Sequence, residues 1–241
     1  MIKDKIHEFL RSFGLDVVRF PPVDFLSEER EIFDAVRPLT MTSPERIYVL
    51  IQALRYLTKA SIPGAIVECG VWKGGSMAAA ARTLLQMQDV SRDLYLFDTF
   101  RGMTEPGTLD VDYSGKQASE VWAKSNGTWC DAALEQVKNV LFATGYPREK
   151  LHFIEGRVED TIPASAPESI ALLRLDTDWY ESTRHELVHL FPRLIRAGVF
   201  IIDDYGHWQG SRKACDEYFE QNHIPILLNR IDAGGRVAIR V

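Results

Sequence analysis

Two acidic motifs carry the clearest chemistry in the sequence. One is Asp176-Thr-Asp178, inside Arg174-Leu-Asp-Thr-Asp-Trp-Tyr; the other is Asp203-Asp204, inside Ile202-Asp-Asp-Tyr-Gly. Each closes a short apolar run of strand character. Consecutive strands of a parallel sheet end on one edge, and ligands bind outside those carboxyl ends. Four carboxylates gathered there repel one another unless a cation neutralises them. No Cys or His ligand pattern stands beside them, so the donors are all oxygen, which points to Mg²⁺ or Ca²⁺ rather than zinc. Asp176, Asp203 and Asp204 are the chosen ligands. Asp178 is then left close to the cation and free to accept a proton from an acidified hydroxyl. Spacing alone does not divide the roles of Asp176 and Asp178. The plain alternative makes Asp178 and Asp204 helix caps and Asp203 a solvated strand end, but two acidic motifs at neighbouring strand ends favour the metal.

Upstream, Glu68-Cys-Gly-Val-Trp-Lys-Gly-Gly-Ser76 follows a predicted strand and opens a predicted helix. Glycines let the chain turn tightly and pass close to a ligand, and the helix N-terminus presents free N–H groups. The spacing is not the dinucleotide G-x-G-x-x-G, because Val71 and Trp72 stand between the glycines. The next strand ends in Asp98, where an acidic residue takes ribose hydroxyls in nucleotide-binding α/β folds. Together, loop and acid predict an adenosine-containing ligand. Taken apart, the loop reads as a tight βα turn and Asp98 as an N-cap. Glu155-Gly156-Arg157-Val158, after the third strand, reads either as a contact loop or as an ordinary strand-end turn.

The elements that must position these residues alternate. Strands are predicted at 65–69, 94–98, 151–155, 170–176 and 199–203, most of them apolar throughout, as in a parallel sheet buried on both faces. Helical patterns lie between them at 76–88, 131–144, 182–195 and 211–221. This alternation predicts a doubly wound α/β sheet, mostly parallel. Residues 225–230 and 236–241 flank Asp232-Ala-Gly-Gly, so the sheet is expected to end in an antiparallel hairpin. Before residue 65 the pattern is helical. Thr42-Ser43-Pro44-Glu45 reads as a capping box with proline in the first turn, and Ile47, Leu50, Ile51, Leu54 and Leu57 follow at helical spacing. The first forty residues form a weakly patterned extension that either covers a site or makes a dimer contact.

With 241 residues, 46% of them hydrophobic, the chain suits one large domain. The 28 basic and 34 acidic side chains give a net charge of −6, which argues against a nucleic-acid partner. No apolar run reaches the length of a membrane span. The first ten residues are charged and alternating, unlike a secretory leader. Three scattered cysteines, Cys69, Cys130 and Cys215, make no disulfide framework, so a reducing cytoplasm is expected. The polar stretch 99–130, with Phe100, Tyr113, Trp122 and Trp129, is too long and too aromatic for a plain connection and reads as a substrate-facing lid. His207 is a candidate for orienting substrate or assisting deprotonation. Trp179 and Tyr180 are candidates for packing an acceptor ring, and Arg212 and Lys213 for touching an anionic one. His185 and His189 have a metal-compatible spacing but no third ligand, which favours a solvated helix face.

Glu68-Cys-Gly-Val-Trp-Lys-Gly-Gly-Ser76, Phe97-Asp-Thr-Phe100, Leu173-Arg-Leu-Asp-Thr-Asp-Trp-Tyr-Glu-Ser-Thr183 and Ile201-Ile-Asp-Asp-Tyr-Gly206 together resemble the macrocin O-methyltransferase family. The similarity spans residues 40–230, and the paired aspartates are its specific part. The resemblance implies a class I methyltransferase with a seven-stranded, Rossmann-like sheet. It implies S-adenosylmethionine and Mg²⁺ as cofactors and a hydroxyl of a sugar or glycosylated small molecule as acceptor. By the same resemblance Asp176, Asp203 and Asp204 match metal ligands and Asp178 a general base. Glu68, Gly70, Ser76 and Asp98 fall on cofactor-binding segments, with Glu68 facing the ammonium of the methionine moiety. Gly156 and Val158 fall on the adenine-contacting loop, and Met41 and Thr42 approach the cofactor. Two rivals use the same residues. A metal-dependent hydrolase or sugar-nucleotide enzyme would need a phosphate cradle that the sequence lacks. A non-catalytic binding module would have no need of four carboxylates, and methyl transfer to a glycoside separates it from the enzyme.

Overall fold

A computed structural model describes residues 6, 9–10, 12–13, 24–125 and 129–241. Its seven strands are β1 (Ala65–Cys69), β2 (Leu94–Asp98), β3 (Leu151–Glu155), β4 (Ile170–Leu175), β5 (Leu194–Ile202), β6 (Asn229–Arg230) and β7 (Arg236–Ile239). They form one sheet in the order β3-β2-β1-β4-β5-β7-β6. The first five run parallel, and β7 lies antiparallel between β5 and β6. The expected doubly wound sheet with a terminal hairpin is therefore present. Strand order reverses between β1 and β4, which opens a crevice at their carboxyl ends.

Two apolar layers cover the sheet, because successive strand residues point to opposite faces. On one face Ile66, Leu94, Leu96, Leu172 and Ile201 pack with α1 (Ser27–Val36), α2 (Pro44–Lys59), α3 (Gly75–Gln86) and α5 (Leu134–Phe142). On the other, Val67, Phe97, Leu173, Leu175 and Phe200 pack with α6 (Val158–Thr161), α7 (Tyr180–Leu190) and α8 (Gln209–Gln221). Fully buried leucines such as Leu84 and Leu187 each contribute about 1.5–3 kcal/mol of burial energy.

The structure redraws three details of the sequence reading. Phe25, Ile32, Phe33 and Val36 are buried in the main layer, so residues from 25 onward belong to the core rather than to an appended extension. Of the first forty residues, 1–5, 7–8, 11 and 14–23 lie outside the described residues. The cap of α2 is Ser43, whose Oγ accepts from Arg46 N at 3.2 Å. Thr42, expected in the capping box, instead donates to Asp203. Finally, the helix predicted at 182–195 stops at Leu190. Pro192 sits in a 3₁₀ turn that leads directly into β5, which starts at Leu194 rather than at 199.

The 99–130 stretch carries α4 (Ala118–Lys124) and is pinned to its surroundings by Asp110; its residues 126–128 lie outside the described residues. Buried Asp110 accepts from Gly107 N at 2.7 Å and from Tyr180 N, the free first amide of α7, at 2.8 Å. Gln209 N, at the start of α8, donates to Val111 O at 2.9 Å. Among the described residues no helix is long and apolar enough to cross a membrane.

Candidate active site

A cavity of about 720 Å³ opens at the carboxyl ends of the strands, within the roughly 300–1,000 Å³ of small-molecule sites. The twelve residues named from the sequence as cofactor, metal or base groups line it: Met41, Thr42, Glu68, Gly70, Ser76, Asp98, Gly156, Val158, Asp176, Asp178, Asp203 and Asp204. The glycine loop and the carboxylate loop touch. Gly70 has φ +81°, and a β-carbon there would overlap the Asp176 carbonyl, so only glycine admits this approach. Asp176 N donates to Cys69 O at 2.8 Å.

Asp98 does more locally than the sequence reading gave it. Its Oδ2 accepts from Val71 N at 2.6 Å and Trp72 N at 2.9 Å, and its Oδ1 from Phe100 N at 2.7 Å. It thus clamps the glycine loop to the end of β2 while lining the cavity; no helix follows it directly, so it is not the N-cap offered as the alternative. Glu68 is 1% exposed, and Arg174 ion-pairs with its Oε1. Its Oε2 is buried without a hydrogen-bond partner. Burial pushes the Glu68 carboxyl up to about 7, against the pull of Arg174. An open, buried carboxylate oxygen beside the glycine loop fits an ammonium group.

The sequence called for a bound metal cation to offset these carboxylates, but side chains of the protein supply part of the positive charge. Two arginines enter the cluster. Arg174, 3% exposed on β4, places Nη1 2.8 Å from Asp176 Oδ2 and Nη2 2.8 Å from Asp203 Oδ1. It also donates to Thr42 Oγ1 at 3.0 Å, and Thr42 in turn donates to Asp203 Oδ2 at 2.9 Å. Arg46, on α2, pairs with Asp203 Oδ2 through Nη1 and with Asp232 Oδ2 through Nε at 2.8 Å. Burial disfavours both guanidinium charges, yet the surrounding acids raise both pKa values. Burial also works against Asp232, but the Arg46 and Ser43 hydrogen bonds win and hold it at about 2.

Negative charge remains in excess. Burial pushes the Asp176 and Asp204 carboxyls well above the usual range; Arg174 opposes this at Asp176, and neighbouring aspartates reinforce it at both. Asp178 rises to about 7 through burial and the charge of Asp176, although hydrogen bonds from Asp204 and Trp208 pull it down. Its backbone is left-handed at φ +67°, and its N–H donates to Asp204 Oδ2 at 3.2 Å. Asp203 Oδ1, despite its ion pair, accepts no hydrogen bond. By donor type, charge excess and open oxygen, the cluster fits a hard divalent cation. Among the described residues, however, no three acidic, His or Cys side chains are already drawn around one point.

The opposite wall is aromatic. Trp179, buried, donates Nε1–H to Thr104 O at 3.0 Å and packs edge-on against Trp208 and Trp129, with centroids 5.0 and 5.7 Å away. His207 and the exposed Tyr113, 5.7 Å apart, form the rim. Tyr180 turns away and donates its hydroxyl to Glu217 at 2.7 Å. Arg212 and Lys213 lie in a neighbouring groove facing Asp216 and Glu217. His185 meets the Ile162 carbonyl at 3.0 Å rather than a metal partner. Arg46 and Arg174 escaped the sequence reading. The available signal was charge: Glu68 and Arg174 are the lone charged residues in two otherwise buried apolar runs, and β1–β4 pairing sets them side by side.

The sheet order and the site at its switch point are those of a class I O-methyltransferase. The family model for macrocin-O-methyltransferase (TylF) matches residues 30–240, and the chain belongs to that family. It is 32% identical over 196 residues to the 8-demethyl-8-(2,3-dimethoxy-alpha-L-rhamnosyl)-tetracenomycin-C 4'-O-methyltransferase of Streptomyces olivaceus, covering 81% of this chain and 73% of that protein. It is 29% identical to the demethyldecarbamoylnovobiocin O-methyltransferase of Streptomyces niveus, covering 81% and 73%. The structure of the O-methyltransferase NovP superposes with a TM-score of 0.75 at 28% identity, covering 84% of this chain and 82% of that one. None of these three is a hydrolase, so the hydrolase alternative gains no support.

Proposed function

We propose that this O-methyltransferase transfers a methyl group from S-adenosylmethionine to a hydroxyl of a sugar or glycosylated small molecule, with Mg²⁺ bound at the aspartate cluster. The observation that carries the proposal is the single cavity joining the glycine loop, with its open Glu68 oxygen, to Asp176, Asp178, Asp203 and Asp204. The relatives named for rhamnosyl-tetracenomycin and novobiocin acceptors support the acceptor class.

In this reading Glu68 receives the donor's ammonium, and Gly70 and Ser76 let the backbone close over its methionine portion. Asp98 fixes the loop and keeps one face toward the ribose, while Gly156 and Val158 border the adenine, and Met41 and Thr42 close the entrance. Asp176, Asp203 and Asp204 hold the cation, and Arg174 and Arg46 keep those carboxylates in place. The donor supplies the electrophilic methyl, and the cation lowers the pKa of a nearby alcohol. Asp178 accepts the alcohol's proton: a carboxylate raised to about 7 is a better base than an ordinary one. Trp129, Trp179 and Trp208 exclude water from that side, and the 99–130 segment forms the acceptor wall.

Calorimetric titration of S-adenosylhomocysteine, with NAD as control, tests the donor. Low-micromolar binding of the first alone is expected, and absence of binding with or without Mg²⁺ would overturn the assignment. Methyl transfer to glycosides, assayed with Mg²⁺ and with a chelator, tests the rest. Asp178→Asn is expected to keep S-adenosylhomocysteine affinity and lose about 100-fold or more in kcat.

A further inference from the structure

One buried acid has no part in these roles. Glu186, on α7, is 0% exposed, next in the chain to Leu187, which packs in the apolar layer of that face. Among the described residues no Lys, Arg or His forms an ion pair with it. Burial pushes its carboxyl well above the ordinary range, and nearby Glu159 and Asp204 add to this. An unpaired acid in such a layer is costly, and packing alone would favour an apolar side chain. What it touches is specific. Thr177 Oγ1 donates to Oε1 at 3.0 Å and lies 3.2 Å from Oε2, and the carboxyl stands near enough to the buried Cys69 thiol to add to the upward push of burial on it.

Those two neighbours occupy telling positions. Thr177 stands between Asp176 and Asp178, and Cys69 between Glu68 and Gly70. The turn at Asp178 is left-handed, a conformation a non-glycine residue keeps only when its surroundings hold it. Thr177 is fixed through its hydroxyl by Glu186 and through its carbonyl by Trp179 N at 2.8 Å.

We propose that Glu186 is a positioning residue: through Thr177 it holds the carboxylate loop from the face of the sheet that α7 covers, and so fixes where Asp178 stands relative to the transferred methyl. The proposal rests on the reading of Asp178 as base. A neutral acid and an amide present similar hydrogen-bonding groups, so Glu186→Gln should preserve the tie and Glu186→Leu should remove it.

The test is steady-state kinetics on folded variants, with Tm and the Kd of S-adenosylhomocysteine measured on the same preparations. Glu186→Leu is expected to lower kcat by about 10- to 100-fold, with acceptor KM and S-adenosylhomocysteine Kd within about threefold, the signature of misalignment rather than lost binding. Glu186→Gln is expected within about threefold of wild type in all three. A Glu186→Leu enzyme with wild-type kcat would overturn the proposal, as would a Glu186→Gln enzyme as slow as Glu186→Leu. If Glu186→Leu fails to fold, Thr177→Val removes the same contact from the other side. The same kcat-selective loss is expected, and an unchanged kcat overturns the idea. Asp178→Asn separates the two levels: wild-type turnover there takes down the base assignment and this inference together. A slow Asp178→Asn beside a fast, folded Glu186→Leu takes down this inference alone.

Discussion

Arg174 Nη2 stands 2.8 Å from Asp203 Oδ1 with both side chains almost fully buried, yet that oxygen accepts no hydrogen bond. The arginine balances the charge while one lone pair stays open in a residue that lines the cavity. A single guanidinium also serves Glu68 and Asp176, so it spans the two halves of the site.

Removing it should therefore be felt as lost stability. Arg174→Leu leaves Glu68 and Asp176 without a guanidinium and Asp203 with Arg46 alone, and breaking a buried ion network from one side typically costs about 3–5 kcal/mol. Urea denaturation is expected to show a loss of that order. Arg174→Lys should recover only part of it, because an ammonium cannot reach three carboxylates in one plane. An unchanged midpoint for Arg174→Leu would show that the acids do not depend on it.

The acids themselves set a pH dependence. Burial raises Glu68 from 4.5 and Asp178 from 3.8, each to about 7, so the folded protein holds these protons more tightly than the unfolded chain. Their stabilising contribution is complete below the unfolded values and is lost as pH rises through about 7. Thermal melts of the ligand-free protein should accordingly show Tm falling between about pH 5 and about pH 7 and levelling off above. Added Mg²⁺ is expected to flatten that slope, since a bound cation replaces the protons in neutralising the cluster. A Tm that rises over this interval would contradict the charge assignment.

Asp203→Asn keeps the shape of the side chain and an oxygen for Thr42 to donate to, but removes one of the four oxygen donors of the pair Asp203-Asp204 and the charge of Asp203 itself. Cation-dependent turnover should be lost, with S-adenosylhomocysteine affinity within about threefold of wild type. The stabilisation by Mg²⁺ in a thermal melt should vanish in the same variant. Full turnover at saturating substrate would remove Asp203 from the metal site.

Asp110 offers a test away from the chemistry. It holds the 99–130 segment to the first turn of α7, and a β-carbon on Gly210 would overlap its Oδ1. Asp110→Ala leaves the Tyr180 and Gly107 amides without their acceptor, worth about 1–3 kcal/mol if they stay buried. Limited proteolysis should cut this segment sooner in Asp110→Ala and in Gly210→Ala than in wild type. Equal cleavage rates would show that the segment is held elsewhere.

The sheet was legible because its strands are near-continuous apolar runs bounded by glycine and acidic residues, a pattern that depends only on neighbours in the chain. Most of the twelve named cavity residues were legible for the same reason, since the ends of strands carry them; Met41 and Thr42, before α2, and Ser76, in α3, come from the family resemblance instead. What escaped notice was set by distant partners. Arg46 reaches Asp203 across 157 positions, and Thr42 left its expected capping box for the same acid, 161 positions away. Glu186 looked like one charge among several on a helix; only the packing of α7 under β4 turns it inward. The end of that helix, in contrast, was written in the sequence at Pro192, where helical periodicity was followed too far.

The two walls of the cavity have different origins in the chain. One is made by strand ends and cannot change without disturbing the core beneath it. The other is shared between the stretch inserted between β2 and α5, which gives Tyr113 and Trp129 and is fastened at Asp110, and the loops after β4 and β5, which give Trp179 and Trp208. A replacement stretch that kept that fastening could present different side chains to an acceptor while leaving the strand-end aspartates untouched. The architecture thereby separates what a lineage can vary from what it must keep, and places the boundary along one line across the cavity.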